Sequence, residues 1–402
     1  MTAPWLSVVG LGEDGLAGLS PIARQIIADA EILAGGARHL ALVPPGPAER
    51  LEWATPFAAN LERLAAVAGR RVCVLASGDP MWFGVGATLA RRFGIEALRI
   101  IPHPGSFSLA AARLGWPLHE TRCLSIHGRA FETVLLHLTP GARLLLLAED
   151  GTSAARLAGL LVAHGLGEAG IDVFERLGGP AERRLSARAD AWKIPRTDDL
   201  NTIAVALPDR PRSHRPPSVV PGLPDDAFIH DGQLTKREIR AVTLAALAPW
   251  PGAVLWDIGA GCGSVAIEWC RAGGIARAVE CDNSRCRMIA ANALALGVPD
   301  LGLCCGKAPE ALASLDGAPD AVFLGGGLSA PGVIETAWAA LRPGGRLVAN
   351  AVTSEAEALL LAWQPRIGGT LTRLSVSRLE PVGRFHTWHP AMPVTQFVAE
   401  KS

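Results

Sequence analysis

The sequence has no excess of charge of either sign and no long apolar segment. It contains 38 Lys and Arg residues against 38 Asp and Glu residues. A balanced chain creates no overall field that would attract nucleic acid or an anionic membrane. The longest apolar stretches, such as residues 144–148, are far too short to span a bilayer. We therefore expect a protein that binds neither nucleic acid nor membrane.

Cysteine is also scarce, and the N-terminus lacks the basic and apolar regions of a secretory signal. Eight cysteines in 402 residues are too few for a disulfide scaffold, which favours a reducing cytoplasm. The spacing of Cys281, Cys286, Cys304 and Cys305 does not match the C-x-x-C pairs of zinc sites. We expect these cysteines to pack in the core and predict no metal site.

A proline-rich segment divides the chain. Residues 208–224 contain six prolines and almost no apolar periodicity, which predicts a semi-rigid linker. The flanking regions, 1–207 and 225–402, each alternate short apolar strand patterns with longer helical ones. This alternation predicts two α/β domains.

The most specific motif of the second half lies between a predicted strand and a predicted helix. It reads D-x-G-x-G-x-G and comprises Asp257, Gly259, Gly261 and Gly263, with Glu280 at the end of the next strand. Glycines allow a ligand close to the backbone, and an acidic side chain at Glu280 can accept hydrogen bonds from ribose hydroxyls. A carboxylate before the glycines suits an amino group better than a pyrophosphate. The pattern therefore favours S-adenosylmethionine (SAM) over NAD, and a turn without a ligand stays an alternative.

Three strand ends of the first half are rich in Gly, Pro and Ser. They are the loop with Gly10 and Gly12, the run Ser77–Gly86 with Gly78, Asp79 and Phe83, and the run Pro104–Ser108 with Ser106. Each one alone is typical of an ordinary turn. Three in succession indicate a ligand site built from backbone groups.

These motifs resemble known families. The second half is similar to the class I SAM methyltransferases, and within them to decarboxylating precorrin methyltransferases, through DIGAGCGSVAIEW, DAVFLGGG and LRPGGRLVANAV. After Gly306, where that family is usually acidic, this chain has Lys307. The first half resembles the class III tetrapyrrole methylases over most of residues 5–207, and its GGARHL and SIHGR stretches resemble the precorrin C5-methylase branch.

The resemblance implies a class III tetrapyrrole methylase fold followed by a Rossmann-like class I methyltransferase fold. It implies one SAM per domain, a precorrin substrate, and a place in cobalamin biosynthesis. The first domain would methylate C5, and the second would methylate C15 and decarboxylate the ring C acetate. Relatives of both types are oligomeric, so the resemblance also implies a homo-oligomer.

Cationic side chains are the candidates for binding a precorrin, which carries many carboxylates. They are Arg38, His127 and Arg129 in the first domain and Lys236, Arg237 and Arg240 in the second. Each could equally be a solvated surface charge. His39 and His103 are expected to be packed or turn residues, and no individual catalytic residue is predicted.

Two other functions stay open at this stage. A class I methyltransferase acting on RNA or another substrate is one, although the strand end Phe323–Gly327 lacks the Asn/Asp-Pro-Pro-aromatic pattern of base amino-group methylation. A non-catalytic SAM-binding scaffold is the other.

Overall fold

The computed structural model describes residues 4–209 and 218–402, which separate into two compact units. Within these residues, the first unit runs to Arg129 and resumes at His137. The second comprises Ala130–Leu136 and the chain from Ser218 onward. The division at a linker of residues 208–224 stays a prediction, and residues 210–217 of that linker lie outside the described ranges.

A parallel sheet forms the N-terminal part of the first unit. Its strands are β1 (Leu6–Leu11), β2 (Ile32–Gly35), β3 (Glu49–Glu52), β4 (Val72–Ser77) and β5 (Leu98–Ile101). They lie side by side in the order β3-β2-β4-β1-β5, and every pairing is parallel. The connecting helices are α1 (Pro21–Ala28), α2 (Ala37–Ala41), α3 (Ala58–Ala65) and α4 (Val85–Phe93). Val8 and Val9 belong to two different core clusters because successive strand residues face opposite sides of the sheet.

The first unit continues with a mixed sheet. After α5 (Ser106–Leu114) come β6 (Arg122–Ser125), β7 (Arg143–Leu147), α6 (Ser153–Ala163), β8 (Gly170–Glu175), β9 (Arg183–Arg188) and β10 (Asn201–Ala206). The strands lie in the order β6-β7-β10-β8-β9, and only β6 and β7 pair in parallel. A mixed sheet following a parallel one distinguishes this unit from a doubly wound fold.

The second unit is a doubly wound α/β domain. Its sheet strands are β11 (Val254–Ile258), β12 (Ile275–Glu280), β13 (Gly302–Cys305), β14 (Ala321–Leu324), β15 (Arg346–Ala351), β16 (Thr370–Leu374) and β19 (Val394–Glu400). The helices are α7 (Arg237–Leu247), α8 (Ser264–Arg271), α9 (Asn283–Ala295), α10 (Val333–Ala340) and α11 (Ser354–Ile367).

The order of the seven strands is β13-β12-β11-β14-β15-β19-β16, and only β19 runs antiparallel to its neighbours. The chain crosses from β11 to β12 on one side and later to β14 on the other. Such a reversal leaves a crevice at the carboxyl ends of the strands, where ligands of open α/β sheets bind. The α/β class predicted for both halves is confirmed.

A two-stranded ribbon is inserted between β16 and β19. It consists of β17 (Ser377–Val382) and β18 (Phe385–Pro390), which pair antiparallel. Every residue of both strands is exposed. The ribbon therefore stands outside the core of the second unit.

The cysteines differ in part from the expectation of core packing. Cys286 is buried and Cys304 half-buried, but Cys281 and Cys305 are exposed. Both exposed thiols lie at or just past the carboxyl end of a strand, where the sheet opens to the crevice. In the described ranges no group of three or more His, Cys, Asp or Glu is arranged to hold a metal ion. None of the helices described there is both long and apolar enough to cross a membrane.

Candidate active sites

The first candidate site forms where three loops of the first unit meet without side chains between them. A Cβ on Gly10 would lie 1.9 Å from the carbonyl oxygen of Gly78, and a Cβ on Gly78 would lie 2.5 Å from Cα of Gly105. Gly78 also has φ of +52°, which favours glycine. The loops after β1, β4 and β5 therefore touch through their backbones, and Gly10 lies beneath the site as a packing residue.

A cleft of about 800 Å³ opens above this contact, between the two sheets of the first unit. It brings together eight of the nine residues that the sequence predicted for this site: Gly12, Arg38, Gly78, Asp79, Phe83, Ser106, His127 and Arg129. Strand ends of the mixed sheet contribute Ser125, Asn201 and Thr202, which the sequence analysis missed. These residues follow no glycine signature, so nothing in the local sequence marked them.

Phe83 combines a strained backbone with a cationic neighbour. Its φ is +55°, a conformation that side-chain-bearing residues rarely adopt. The Arg129 guanidinium carbon lies 4.9 Å from the centre of its ring, within cation–π range. Strain of this kind is retained where a site requires a particular side-chain position. Phe83 and Arg129 therefore form one aromatic and cationic wall of the cleft.

A polar cluster occupies another wall. Arg38 is ion-paired with Glu13 and donates through Nη2 to Ser77 Oγ at 2.8 Å. The same Nη2 lies 2.8 Å from His39 Nε2, and Ser77 Oγ is also 2.8 Å from that nitrogen. Burial and the Arg38 charge lower the pKa of His39 to about 4, so its imidazole is neutral near pH 7. His39 was expected to be a packed or turn residue; it is half-buried and also lines the cleft.

The second candidate site lies at the carboxyl ends of β11, β12 and β14. A Cβ on Gly259 would lie 2.5 Å from the Gly326 carbonyl oxygen, and Gly259 has φ of +70°. The resulting cleft of about 560 Å³ is lined by four of the predicted residues: Lys236, Gly259, Gly261 and Glu280. Gly263 does not line it. A Cβ there would lie 3.1 Å from the side chain of Ile289, so its role is to let α9 pack closely.

Asp257 is buried beneath the second cleft with half of its carboxylate unpaired. Its Oδ2 accepts a hydrogen bond from the Ala266 N–H at 3.0 Å, while Oδ1 is buried without a partner. Burial, reinforced by the charge of Glu280, raises the pKa of Asp257 to about 7. Glu280 itself accepts from the N–H groups of Gly261, Cys281 and Asp282. Its carboxylate is thereby fixed at the wall of the cleft.

These features fit the ligand that the sequence predicted. The glycine contact of Gly259 and Gly326 lets a ligand approach the backbone, and Glu280 offers fixed acceptors for hydroxyl groups. An unpaired buried carboxylate oxygen at Asp257 lacks a compensating positive or hydrogen-bond-donating group. The Asp257 side chain does not line the cleft, so its contact with the amino group of SAM stays a prediction.

Cations surround the second cleft, but of the three that were predicted only Lys236 is among them. Besides Lys236 the lining contains Lys307, Arg285 and Arg378. Arg285 donates to Asp231 at 2.8 Å, and Arg378 of β17 donates to Glu238 at 2.5 Å. Lys307 had been noted only as a departure from the family. Arg285 and Arg378 were missed because their contribution depends on the tertiary position of α9 and of the ribbon.

Arg240 requires a correction. It was predicted to bind substrate, but its side chain is fully buried and does not line the cleft. It donates to Glu268 at 2.6 Å, to Asp225 at 3.1 Å and to the backbone carbonyls of Leu223 and Thr235. These hydrogen bonds use four of the five N–H groups of the guanidinium and engage all three of its nitrogens inside the protein.

Arg237, one turn earlier, is exposed and also lies outside the cleft lining, with Nε donating to the Gly222 carbonyl.

Comparison with known proteins matches both units to families. Residues 6–191 match the family described as Tetrapyrrole (Corrin/Porphyrin) Methylases, and residues 226–401 match the Precorrin methyltransferase domain. A Sinorhizobium sp protein named precorrin-6Y C(5,15)-methyltransferase (decarboxylating) is 46% identical over 99% of this chain and 96% of its own length.

Two shorter relatives each match 44% of the chain. A Salmonella typhimurium protein named cobalt-precorrin-7 C(5)-methyltransferase is 36% identical over 88% of its length. A Pyrobaculum calidifontis protein, with the name "Probable cobalt-precorrin-6B C(15)-methyltransferase (decarboxylating)", is 34% identical over 95% of its length.

The two folds and the family matches thus define a SAM-dependent methyltransferase with two units, one of tetrapyrrole methylase type and one of Rossmann-like class I type. The fold class predicted from the sequence is confirmed. In particular, the chain belongs to the family of precorrin-6Y C(5,15)-methyltransferases (decarboxylating). Membership of this family confirms the predicted enzyme class and sets aside the non-catalytic scaffold.

Proposed function

We propose that the first unit methylates a precorrin at C5 and that the second methylates C15 and removes carbon dioxide from the ring C acetate. Each unit would bind its own SAM. The observation that carries this proposal is the presence of two separate glycine-built clefts, one within each unit. Two relatives with single activities, one named for C5 and one for C15 with decarboxylation, each match less than half of the chain, which supports a division of labour.

The residues that would hold SAM are those at the glycine contacts. In the first cleft they are Gly12, Gly78, Asp79, Phe83 and Ser106, with Gly10 supporting them from below. In the second they are Gly259, Gly261 and Glu280, with Asp257 below and Gly263 positioning α9. SAM supplies a methyl group already activated on a sulfonium, so the protein's main task is alignment.

Alignment also requires the protein to bind the carboxylates at the periphery of the precorrin. In the first cleft Arg38 and Arg129 face the ligand space and can pair with its carboxylates, with His127 beside them. In the second cleft Lys236, Lys307, Arg285 and Arg378 can do the same. Held in this way, a ring carbon can meet the methyl group in a fixed geometry with water excluded, which is a large source of rate enhancement. The apolar side chains that also line the clefts, such as Trp82 and Phe107 in the first and Phe323 and Met392 in the second, suit the ring faces.

We also propose an oligomeric state, a location and a limit on the binding partners of the protein. These are a homo-oligomer, a cytoplasmic location and no nucleic-acid partner. Sedimentation of the purified chain would test the first of these: a mass near 42 kDa, that of one chain, would contradict it.

The proposed reaction is tested by mass spectrometry of a precorrin with an intact ring C acetate after incubation with the protein and SAM. A product that has gained two methyl groups and lost one carbon dioxide is expected. A product with unchanged mass, from a protein shown by calorimetry to bind SAM, would refute the substrate. Methyl-labelled SAM and carbon NMR of the product would locate the two new methyl groups at C5 and C15.

A further inference from the structure

The two proposed reactions differ in how they balance protons. Replacing a ring hydrogen by a methyl group from a sulfonium releases one proton. Loss of carbon dioxide from an acetate arm, which leaves a methyl group, takes one up. The second unit, which would do both, is balanced overall. The first unit, which would only methylate, must pass a proton to an acceptor. This reasoning rests on the proposed function.

The first cleft contains several groups that could accept a proton, and most are already engaged. Glu13 pairs with Arg38, Asp79 accepts from the Met81 N–H at 2.8 Å, and His103 Nε2 faces Asp14 at 3.6 Å. Of the remaining carboxylates, Glu149 pairs with Arg156 and Asp199 with Arg196. His127 lines the cleft but is exposed. A proton acceptor inside the cleft is better sought among groups that are neutral and shielded.

His39 has these properties, because its imidazole is half-buried and neutral near pH 7, and its Nε2 lies beside Ser77 and Arg38. A guanidinium nitrogen can only donate, so the 2.8 Å contact from Arg38 Nη2 means that His39 Nε2 carries a lone pair rather than a proton. One N–H of Arg38 Nη2 donates to His39 Nε2, and the other donates to Ser77 Oγ. The Ser77 oxygen accepts from Arg38, and its hydrogen points at His39 Nε2, 2.8 Å away, so the single lone pair of Nε2 is shared between the Arg38 N–H and the Ser77 O–H in a three-centre hydrogen bond. Ser77 is exposed at the end of β4, where its hydroxyl faces the cleft.

We propose that Ser77 and His39 form the proton acceptor for C5 methylation in the first unit. As the sulfur–methyl bond breaks and the new carbon–carbon bond forms, sulfur keeps the electron pair and the ring gains one positive charge. The C–H bond at the methylated carbon then breaks, and its electron pair returns to the conjugated system of the ring. The proton passes to Ser77 Oγ while the hydroxyl hydrogen moves to the lone pair of His39 Nε2, which at that moment gives up its hydrogen bond from Arg38. The positive charge of the sulfonium is thereby transferred to the imidazole, and charge is conserved.

The charged groups around His39 favour rapid release of that proton. Arg38 on the same helix repels an imidazolium, and burial disfavours it, which together lower the pKa of His39 to about 4. Glu13, on the loop after β1, pairs with Arg38 and so offsets part of this repulsion. Asp79, Glu149 and Asp199 are the other carboxylates that line the cleft. The imidazole is therefore neutral before each turnover and gives its proton to water afterwards. The C5 step should be independent of pH from about 5.5 upward.

The test uses the full chain with His39→Gln, which keeps an acceptor for Arg38 and Ser77 but cannot carry a proton at neutral pH. In single-turnover assays with a precorrin already methylated at C15, the C5 rate should fall about 100-fold, a typical contribution of general base catalysis. The SAM dissociation constant, measured by calorimetry, should stay within about twofold. Ser77→Ala should show the same pattern, and imidazole in the buffer should restore activity to His39→Gly.

Two further measurements separate this role from a structural one. In carbon NMR of the chain with its ten histidines labelled, the resonance of His39 is identified as the one that is lost in His39→Gln. The chemical shift of that resonance should not change between pH 5 and pH 8. His119→Gln, an exposed histidine outside the cleft, is the matched control and should change nothing. Decarboxylation and C15 methylation by the His39 variants should equal those of the unmodified protein.

A full C5 rate in His39→Gln would overturn the inference, as would a collapse of the rate in His127→Gln instead. Equal loss of rate and SAM affinity without imidazole rescue would also overturn it, because that is the pattern of a structural residue. Failure of the proposed function would give a different result. In that case C5 methylation would persist in Gly105→Val, in which the added side chain blocks the first cleft.

Discussion

Arg240 and Glu268 form a buried ion pair in the second unit, with Arg240 Nε donating to Glu268 Oε1 at 2.6 Å. The two residues are 0% and 3% exposed. Glu268 in turn accepts from the N–H groups of Gly222 and Leu223 at 2.6 and 3.0 Å. The pair therefore holds the segment that precedes α7 against α8. The cost of removing these two charges from water is offset by hydrogen bonds to nearly every polar atom of the guanidinium.

Arg240→Met is expected to lower the free energy of unfolding of the second unit by about 3–5 kcal/mol, because it leaves Glu268 buried without its partner. Urea denaturation of the full chain, followed by tryptophan fluorescence, measures the change. Arg237→Met on the same helix is the control and should cost less than about 1 kcal/mol, since that side chain is exposed. Similar losses in the two variants would contradict a structural role confined to Arg240.

Asp257 makes stability depend on pH. Burial raises its pKa to about 7, above its ordinary value of 3.8, so the folded chain binds a proton that the unfolded chain has already lost. Stability should therefore fall as pH rises from about 4 to about 7 and then level off. Between pH 5 and pH 8 this loss is roughly 3 kcal/mol and should be absent from Asp257→Asn. Parallel stability curves for the two proteins across this range would contradict the assignment.

The contact between Gly78 and Gly105 predicts a sharp difference between two glycine variants. Gly78 and Gly115 both have positive φ, +52° and +67°. A Cβ on Gly115 meets nothing within 4 Å, whereas one on Gly78 would collide with backbone. Gly115→Ala should cost about 1–2 kcal/mol from its backbone conformation alone. Gly78→Ala should cost clearly more and abolish SAM binding in the first unit, as measured by calorimetry; equal effects would contradict the packing account.

Arg378 connects the exposed ribbon to the second cleft. If it pairs with a substrate carboxylate, Arg378→Gln should raise the KM for the C15 reaction by roughly tenfold, about 1.4 kcal/mol, with a smaller change in kcat. Arg384→Gln, at the tip of the same ribbon and outside the cleft lining, should leave both constants unchanged. An unchanged KM in Arg378→Gln would show that this arginine serves only its ion pair with Glu238.

The glycine-rich strand ends were predictable because their signal is local. Gly12, Gly78, Gly259 and Gly261 were predicted to bind SAM, and all four line a cleft; the binding itself stays a prediction. The cations were harder to assign, since the sequence does not reveal which way a charged side chain points. Arg240 follows Lys236 by one helical turn, yet Lys236 lines the second cleft and Arg240 is buried.

Residues brought in by distant elements were not predictable. Arg378 reaches the second cleft from a ribbon inserted more than a hundred residues after the glycine motif. His39 was expected to be packed, and only the three-way contact with Arg38 and Ser77 shows that its nitrogen is directed to the first cleft. Such contacts depend on strand order, which local patterns do not specify.

The most direct test of two independent sites uses a matched pair of variants, Gly105→Val and Gly326→Val. Each glycine lines one cleft, and neither has a positive φ. The atom nearest to an added Cβ would lie 3.5 Å away at Gly105 and 3.4 Å away at Gly326, which is ordinary van der Waals distance. The added side chain should therefore fill the cleft without breaking the fold.

The measurement is the mass of the precorrin product formed by each variant with SAM. The account predicts that Gly105→Val gives a product with one added methyl group and one carbon dioxide lost, and that Gly326→Val abolishes decarboxylation. If both variants yield the same product, or if Gly105→Val blocks decarboxylation while Gly326→Val does not, the assignment of the two reactions to the two units is contradicted.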